Sequence, residues 1–169
     1  MARSGRPRKH SPIADEIRQA IEYSKTEEAL ALIEQAEVDV LDGEGQTPLI
    51  HAAFAGKSEI VSAALAAGAN INHQDRNGWT PLHFAVQEKR RELVEYLLAH
   101  GAAVGLKDVY GNTPLWRAAF DARGDYTLVR LLVSHNADPN SKNNAGRSPL
   151  DLATQVGDSA LVAVLKNSG

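Results

Sequence analysis

The chain has 169 residues, a formal net charge of −3, 43% hydrophobic residues and no cysteine. This length predicts one domain with a sizeable core. The lack of cysteine excludes disulfides, thiolate metal sites and a cysteine nucleophile. No stretch approaches the about 20 apolar residues of a membrane span. Because the basic start also lacks the apolar run of a signal peptide, we expect a cytoplasmic protein with no membrane partner.

The first residues of the chain are basic. Residues 1–10 carry four basic side chains and no acid, and we predict that residues 1–12 form a disordered tail. Its Gly5-Arg6-Pro7 segment resembles the core of an AT-hook, whose arginines enter the DNA minor groove. This resemblance leaves open a nucleic-acid-associated regulator that works through Arg6-Pro7-Arg8. Since DNA affinity scales with the phosphates neutralised, so few basic residues predict weak DNA binding.

The next segment is acidic and has helical periodicity. Residues 13–42 hold nine acids against two basic residues, whereas residues 43–169 hold twelve of each sign. The charge pattern argues against nucleic acid as the main partner and suits either a solubilising surface or the attraction of a basic partner. Apolar residues at helical spacing lie on both sides of Ser24-Lys25-Thr26. Those before it are Ile13, Ile17, Ala20 and Ile21, and those after it are Ala29, Leu32, Ile33 and Ala36.

A short motif then recurs four times. Thr47-Pro48-Leu49 returns as Thr80-Pro81-Leu82, Thr113-Pro114-Leu115 and Ser148-Pro149-Leu150, at steps of 33, 33 and 35 residues. A threonine or serine oxygen accepts a hydrogen bond from the first turn of a helix, and proline suits the first helical position. Asp151 has the spacing of a capping box with Ser148. The period predicts a solenoid in which each copy is a turn and two helices.

These residues resemble ankyrin repeats, whose pattern is roughly D-x-x-G-x-T-P-L-H-x-A-A-x-x-G followed by a second helix. The resemblance implies an all-α ankyrin-repeat solenoid of helix–turn–helix units with short β-turn loops. Residues 13–41 then form a degenerate N-terminal capping repeat. The four repeats are residues 42–74, 75–107, 108–142 and 143–169, the last including the C-terminal cap. Stacked repeats build a long concave binding face rather than a closed pocket.

We find no catalytic pattern in the sequence. No two of the six histidines lie three to five residues apart, so no helical metal pair forms. The sequence has no phosphate-binding loop and no arrangement of serine, histidine and aspartate as a triad. His83 occupies the histidine position of the repeat, which implies a bond to the backbone of a neighbouring turn. We therefore predict no catalytic residue, no cofactor and no metal, and a protein that is not an enzyme.

The resemblance implies that the turn tips and the outer side of the first helices bind a partner protein. The candidates at the tips are Arg76, Asn77, Trp79, Tyr110 and Asn112, and those on the first helices are Phe54, Glu88 and Phe120. Tryptophan and tyrosine are enriched at binding hot spots. The alternative for Trp79 is that its ring lies on the neighbouring turn and stabilises the stack.

The third copy departs most from the pattern. Trp116 replaces the usual histidine, and two residues are inserted in the run 120–126. Insertions in repeats map to loops that are often functional, so we expect a loop with Phe120, Arg123 and Tyr126 beside Tyr110 and Trp79. A neutral change of length is the alternative.

Lys89 and Asn136 replace glycines of the repeat pattern. These substitutions predict longer first-helix pairing in the second copy and a left-handed asparagine in the third.

We predict a protein that masks or inhibits one partner as a monomer or a 1:1 complex. Small ankyrin proteins of this kind resemble bacterial immunity-type proteins, which cover the active site of a toxin, and short eukaryotic kinase inhibitors. A toxin enzyme is therefore the specific partner hypothesis. An adaptor that tethers two proteins is the main rival, because the acidic segment could act separately from the concave face.

Overall fold

The computed structural model describes residues 11–166, which form ten α-helices. The predicted basic tail, including Arg6-Pro7-Arg8, falls almost wholly outside these residues. The helices are α1 Pro12–Glu22, α2 Thr26–Gln35, α3 Pro48–Ala55, α4 Ser58–Ala66, α5 Pro81–Gln87, α6 Arg91–Ala99, α7 Pro114–Phe120, α8 Thr127–Ser134, α9 Pro149–Gln155 and α10 Ser159–Lys166.

The four copies of the motif start helices as predicted. Thr47, Thr80, Thr113 and Ser148 each accept a hydrogen bond from the backbone N–H three residues later, and proline follows each of them. Ser148 and Asp151 form the predicted capping box, since Asp151 in turn accepts from the Ser148 N–H at 2.9 Å. This bond also lowers the pKa of Asp151 below its usual range. Each first helix therefore begins at the same position of its repeat.

The helices form two layers. The odd-numbered helices stack in chain order from α1 to α9, and each packs against the even-numbered helix that follows it. Leu49, Leu82 and Leu115 occupy the same position in three repeats and are buried between the layers. Alanines at two positions of the first helices, such as Ala52 and Ala53, are also buried. Their small side chains allow neighbouring first helices to pack closely.

The turn tips form a continuous row. Asp42, Asp75 and Asp108 each accept hydrogen bonds from the amides two and four residues later. Backbone bonds then join neighbouring tips, from Arg76 N to Glu44 O, from Val109 N to Asn77 O and from Asn144 N to Tyr110 O, at 2.9–3.1 Å. These bonds hold the exposed residues of the tips in fixed relative positions.

The connections between the two helices of a repeat need a left-handed residue. Gly56 has φ +71°, and Lys89 at the equivalent position has φ +53°. The expectation of a longer first helix in the second copy is wrong, because α5 ends at Gln87 after seven residues. The chain must reverse within a few residues, so Lys89 adopts the conformation that glycine has elsewhere. Asn136 is left-handed as predicted, with φ +64°.

The insertion in the third repeat lengthens the same kind of connection. Residues 121–126 link α7 to α8, whereas residues 88–90 link α5 to α6. The Asp125 carboxylate accepts a hydrogen bond from the Thr127 N–H at 3.0 Å, and its bonds to Thr127 lower the pKa of Asp125. The Lys89 ammonium donates to the backbone oxygen of Asp121 at 3.2 Å, which places the loop next to the connection of the preceding repeat.

Candidate protein-binding surface

The tips and the first helices share one surface, which we call the inner face. Phe54 of α3 and Phe84 of α5 line a groove together with the tip residues Glu44 and Gln46. The side chains on the exposed side of the first helices therefore lie on the same face as the tips. The inner face is the surface that the repeat pattern predicted for binding.

Three aromatic rings form a connected row on this face. The rings of Phe54 and Phe84 meet edge to face with centroids 6.0 Å apart, and Trp79 lies 5.0 Å from Phe84. The guanidinium of Arg117 from the next repeat lies 4.9 Å from the centroid of the Trp79 ring. We call Phe54, Phe84 and Trp79 the aromatic row. It runs across the first and second repeats and reaches the third through Arg117.

Trp79 packs against the stack and also lies at the surface. Its side chain is half-buried between Phe84 and Arg117, so the ring has a packing site that the sequence did not reveal. A cation over a tryptophan ring contributes about 0.5–1 kcal/mol at an exposed site. The ring therefore packs on side chains of α5 and α7, and part of it stays accessible to a partner.

Most of the large exposed hydrophobic side chains lie on the inner face. Of the six in residues 11–166, Phe54 is 51% exposed, Val109 51%, Tyr110 68% and Phe120 55%, and all four belong to tips or first helices. The other two, Tyr23 and Val156, come just after α1 and α9, and Tyr23 lines a cavity with α2 residues. Concentrated apolar exposure of this kind is typical of interaction surfaces.

Trp116 and Phe120 form a second aromatic pair on α7. Their rings stack 5.2 Å apart with an interplanar angle of 12°, at the i,i+4 spacing that brings side chains together on a helix. At the equivalent position, His83 contacts Asn112 O through Nε2 at 3.3 Å, as expected, and joins two repeats. Trp116 Nε1 is buried and has no hydrogen-bond partner within residues 11–166. Trp116 thus replaces a bond between repeats with an aromatic contact.

The loop of the third repeat does not lie beside the tips. Tyr126 donates its hydroxyl hydrogen to Asp158 at 2.8 Å, and this bond raises the pKa of Tyr126. Arg123 is exposed in the same loop. Because α7 has seven residues, a length of about 10 Å separates this loop from Tyr110. The prediction that Arg123 and Tyr126 adjoin Tyr110 and Trp79 is wrong, since the insertion follows the first helix and the tips precede it.

The polar candidates differ in their accessibility. Arg76 and Asn77 are exposed at a tip, and Glu88 is half-buried at the end of α5. Asn112 is buried, and its side chain bonds to Asp108 at 3.4 Å and to Asn143 at 2.9 Å. Its amide links two tips, so Asn112 supports the surface from below.

Comparison with known families identifies this architecture. A model of three ankyrin repeats matches residues 17–108, and a single ankyrin-repeat model matches residues 110–144. The chain is an ankyrin-repeat protein. No curated protein matches it. Ankyrin repeats are protein–protein interaction modules and are generally not catalytic, so the partner class of this ankyrin-repeat protein is another protein.

This ankyrin-repeat protein also has a polar pair that the sequence analysis missed. His51 Nε2 and Asp42 Oδ2 are 2.9 Å apart, and both side chains are largely buried. Burial raises the pKa of Asp42, but the bonds from His51 and from the amides of Gln46 and Glu44 outweigh it and hold the pKa below its usual range. The shift of histidine from position 50 to position 51 was the available signal. The pair fixes the first tip against α3.

In this ankyrin-repeat protein, the inner face combines apolar rings with charged side chains from several repeats. Within residues 11–166, no helix is long and apolar enough to cross a bilayer, and no group of side chains is suited to hold a metal ion. The arrangement can bind a complementary surface through aromatic contacts, hydrogen bonds and charge. The candidate site is therefore an extended docking surface.

Proposed function

We propose that this ankyrin-repeat protein masks a partner protein through its inner face, and that neutralisation of a toxin enzyme is the specific form of this activity. The observation that supports the proposal is the aromatic row together with the exposed Tyr110 of a tip and Phe120 of a first helix. Truncation of tryptophan and tyrosine at hot spots costs on the order of 2–4 kcal/mol. A surface with several such rings can hold a partner tightly enough to cover its active site.

The rigidity of the inner face supports tight binding. Backbone bonds link the tips, and Gln46 Nε2 also donates to Asp75 Oδ2 of the next tip at 3.0 Å. A surface that is ordered before association avoids much of the entropy cost of binding. Less of the contact energy of the inner face is therefore lost to ordering, which favours the tight binding that an inhibitor needs.

The apolar exposure favours one partner over two. Four of the six large exposed hydrophobic residues of the described chain share the inner face. The remaining two, Tyr23 and Val156, follow the last residues of α1 and α9, which lie at opposite ends of the stack, and Tyr23 lines a separate cavity with Lys25 and Leu32. A tethering adaptor needs a second docking surface, and these separated residues offer much less apolar area than the inner face does.

The test begins with capture of the partner from the cells that express the chain. Wild-type protein should retain a partner that the Trp79→Ala/Tyr110→Ala variant retains at least about a hundredfold less strongly. Tyr23→Ala removes an exposed aromatic residue outside the inner face and serves as the matched control. Equal capture by wild type and the double variant would place the site elsewhere.

Activity of the captured partner then tests masking itself. The purified partner should lose its activity at saturating wild-type protein and keep it in the presence of the Trp79→Ala/Tyr110→Ala variant. Light scattering should give a 1:1 complex. Unchanged activity at saturation would refute masking, and a ternary complex with a second protein would favour the adaptor.

A further inference from the structure

We infer that the partner presents a carboxylate beside an apolar side chain, and that this carboxylate binds Arg117 in the middle of the inner face. The inference rests on the proposed function, because it specifies the chemistry of the partner that the inner face binds. Arg117 follows Thr113 by four residues, as Phe84 follows Thr80, so both side chains occupy the same position of their first helices. Arg117 therefore places a cation among the aromatic rings of the inner face.

The Trp79 ring holds the guanidinium of Arg117 in place. The guanidinium carbon lies 4.9 Å from the centroid of the ring, and both side chains are half-buried. An arginine that stacks on a ring keeps its N–H donors in the guanidinium plane, where a carboxylate can accept two of them in parallel. The contact with Trp79 therefore fixes the position of the cation and leaves its donors for an acceptor.

No carboxylate of the described chain pairs with this guanidinium. Within residues 11–166, Arg117 has no ion pair and its side chain has no hydrogen bond. Glu88 and Asp121 follow the last residues of α5 and α7, yet neither pairs with Arg117, whose guanidinium lies over Trp79 instead. Residues 1–10 and 167–169 contain no aspartate or glutamate. A side-chain carboxylate for Arg117 is thus left for a partner to supply.

The acids in the tips and first turns of these repeats are already engaged. Asp75 and Asp108 each accept hydrogen bonds from amides of their own tips, and Asp151 caps its own helix. Arg76 and Arg147, in the tips on either side, also have no ion pair within residues 11–166. These guanidinium groups are available to an incoming anion, which supports charge complementarity with an acidic segment.

Exposed rings flank Arg117. Phe120 lies three residues after Arg117, a spacing that brings two side chains together on one side of a helix, and it is 55% exposed. Tyr110 is exposed in the tip that precedes α7. Hydrogen bonds between charged groups become stronger in the low dielectric beside apolar rings. The surroundings of Arg117 therefore favour a carboxylate that has an apolar neighbour.

Selection of random short peptides displayed on phage, with the full chain as the target, tests the inference. Enriched peptides should carry aspartate or glutamate beside an apolar residue more often than the unselected library does. Synthetic copies of them should bind Arg117→Gln about ten- to a hundredfold more weakly than wild type, because charged hydrogen bonds are lost. Arg117→Lys keeps the charge without the paired donors and should bind with intermediate affinity. Arg130→Gln removes an exposed cation from α8 and should bind as wild type does.

Changes in the peptide test the same contact without altering the protein. Copies with asparagine or glutamine in place of the acid should bind wild type about as weakly as the acidic peptides bind Arg117→Gln. Arg117→Gln should no longer distinguish the acid from its amide. Equal binding of both peptides by wild type would overturn the inference even if Arg117→Gln failed to fold.

Three further outcomes would overturn the inference. Enrichment without an acidic residue would do so, as would equal binding of the peptides by Arg117→Gln and Arg130→Gln. Displacement of the bound peptides by a short DNA duplex would assign the cation to phosphate instead of a carboxylate.

These failures are separate from failure of the proposed function. If Trp79→Ala/Tyr110→Ala abolishes capture of the cellular partner while Arg117→Gln keeps it, the inner face remains the site and only the carboxylate docking is wrong. If acidic peptides bind through Arg117 but the double variant keeps the cellular partner, the carboxylate docking is supported and masking by the inner face is wrong.

Discussion

Single residues at the motif positions join the repeats as well as cap the helices. His83 shows this most clearly. Its Nδ1 accepts from Thr80 N–H at 3.2 Å, while Nε2 contacts Asn112 O in the next tip at 3.3 Å. Both contacts use a neutral imidazole, since Nδ1 must keep a lone pair. Burial of the ring lowers the pKa of His83 to about 4, from the usual 6.5 of a histidine.

The depressed pKa of His83 predicts a pH-dependent stability. Between about pH 6.5 and pH 4 the unfolded chain binds a proton at this position that the folded chain does not, so stability falls as pH decreases. The full contribution is of the order of 3 kcal/mol. Because His83→Asn cannot titrate, the difference in unfolding free energy between wild type and this variant should shrink from pH 7 to pH 4. Denaturant unfolding at several pH values measures it, and a constant difference would contradict the prediction.

At the scale of elements, each tip depends on its neighbour. Gly78 has φ +76° and Gly146 φ +73°, at the same position of their turns. A Cβ on Gly78 would lie 2.9 Å from the Cα of Asp108, whereas one on Gly146 would meet nothing within 4 Å. Both glycines therefore adopt the left-handed conformation, but only Gly78 packs closely against a neighbouring tip.

This contrast predicts unequal costs for alanine. Gly146→Ala should lose about 1 kcal/mol of stability from the left-handed conformation alone. Gly78→Ala should lose about 3 kcal/mol, because the methyl group also pushes two tips apart. Chemical denaturation of both variants measures the difference, with Gly146→Ala as the matched control. Equal losses would mean that contact between these tips contributes little to stability.

The elements also show which parts of the site were predictable. Exposure of Tyr110 and Phe120 follows from their positions in the repeat pattern, because that pattern determines which side of each turn or helix faces outward. The contact between Phe54 and Phe84 does not follow, since it joins side chains at different positions of their repeats. Tyr126 was misplaced because an insertion after α7 moves its loop away from the tips. Its partner, Asp158, lies in the following repeat.

At the scale of the whole molecule, stability should decay with distance from a perturbed repeat. In residues 11–166, each first helix packs mainly against the second helix of its own repeat and against the neighbouring first helices. In such a stack, stability is close to a sum of repeat terms and interface terms between neighbours. A defect in one repeat should therefore weaken that repeat and its neighbours before it weakens distant helices.

Hydrogen exchange of a core variant can measure this coupling. Leu115 is fully buried in the third repeat, and Leu115→Ala should cost about 2–5 kcal/mol. We expect faster amide exchange in α5 to α10, with a smaller change in α1 to α4. Phe120→Ala removes an exposed side chain of the same helix and should leave exchange nearly unchanged. Uniform acceleration over all helices in Leu115→Ala would show that the molecule unfolds as one unit.

The amino-acid sequence by itself determined the repeat, the starts of four first helices and the left-handed Asn136. Each depends on hydrogen bonds or dihedral angles within a few residues, so local chemistry is sufficient. Only the tertiary structure decided that Arg117 covers Trp79, that α1 places acids beside Phe54 and Phe84, and that Tyr126 contacts Asp158. These contacts join residues about one repeat or more apart. Their geometry depends on how the repeats stack, which the repeat pattern does not specify for individual side chains.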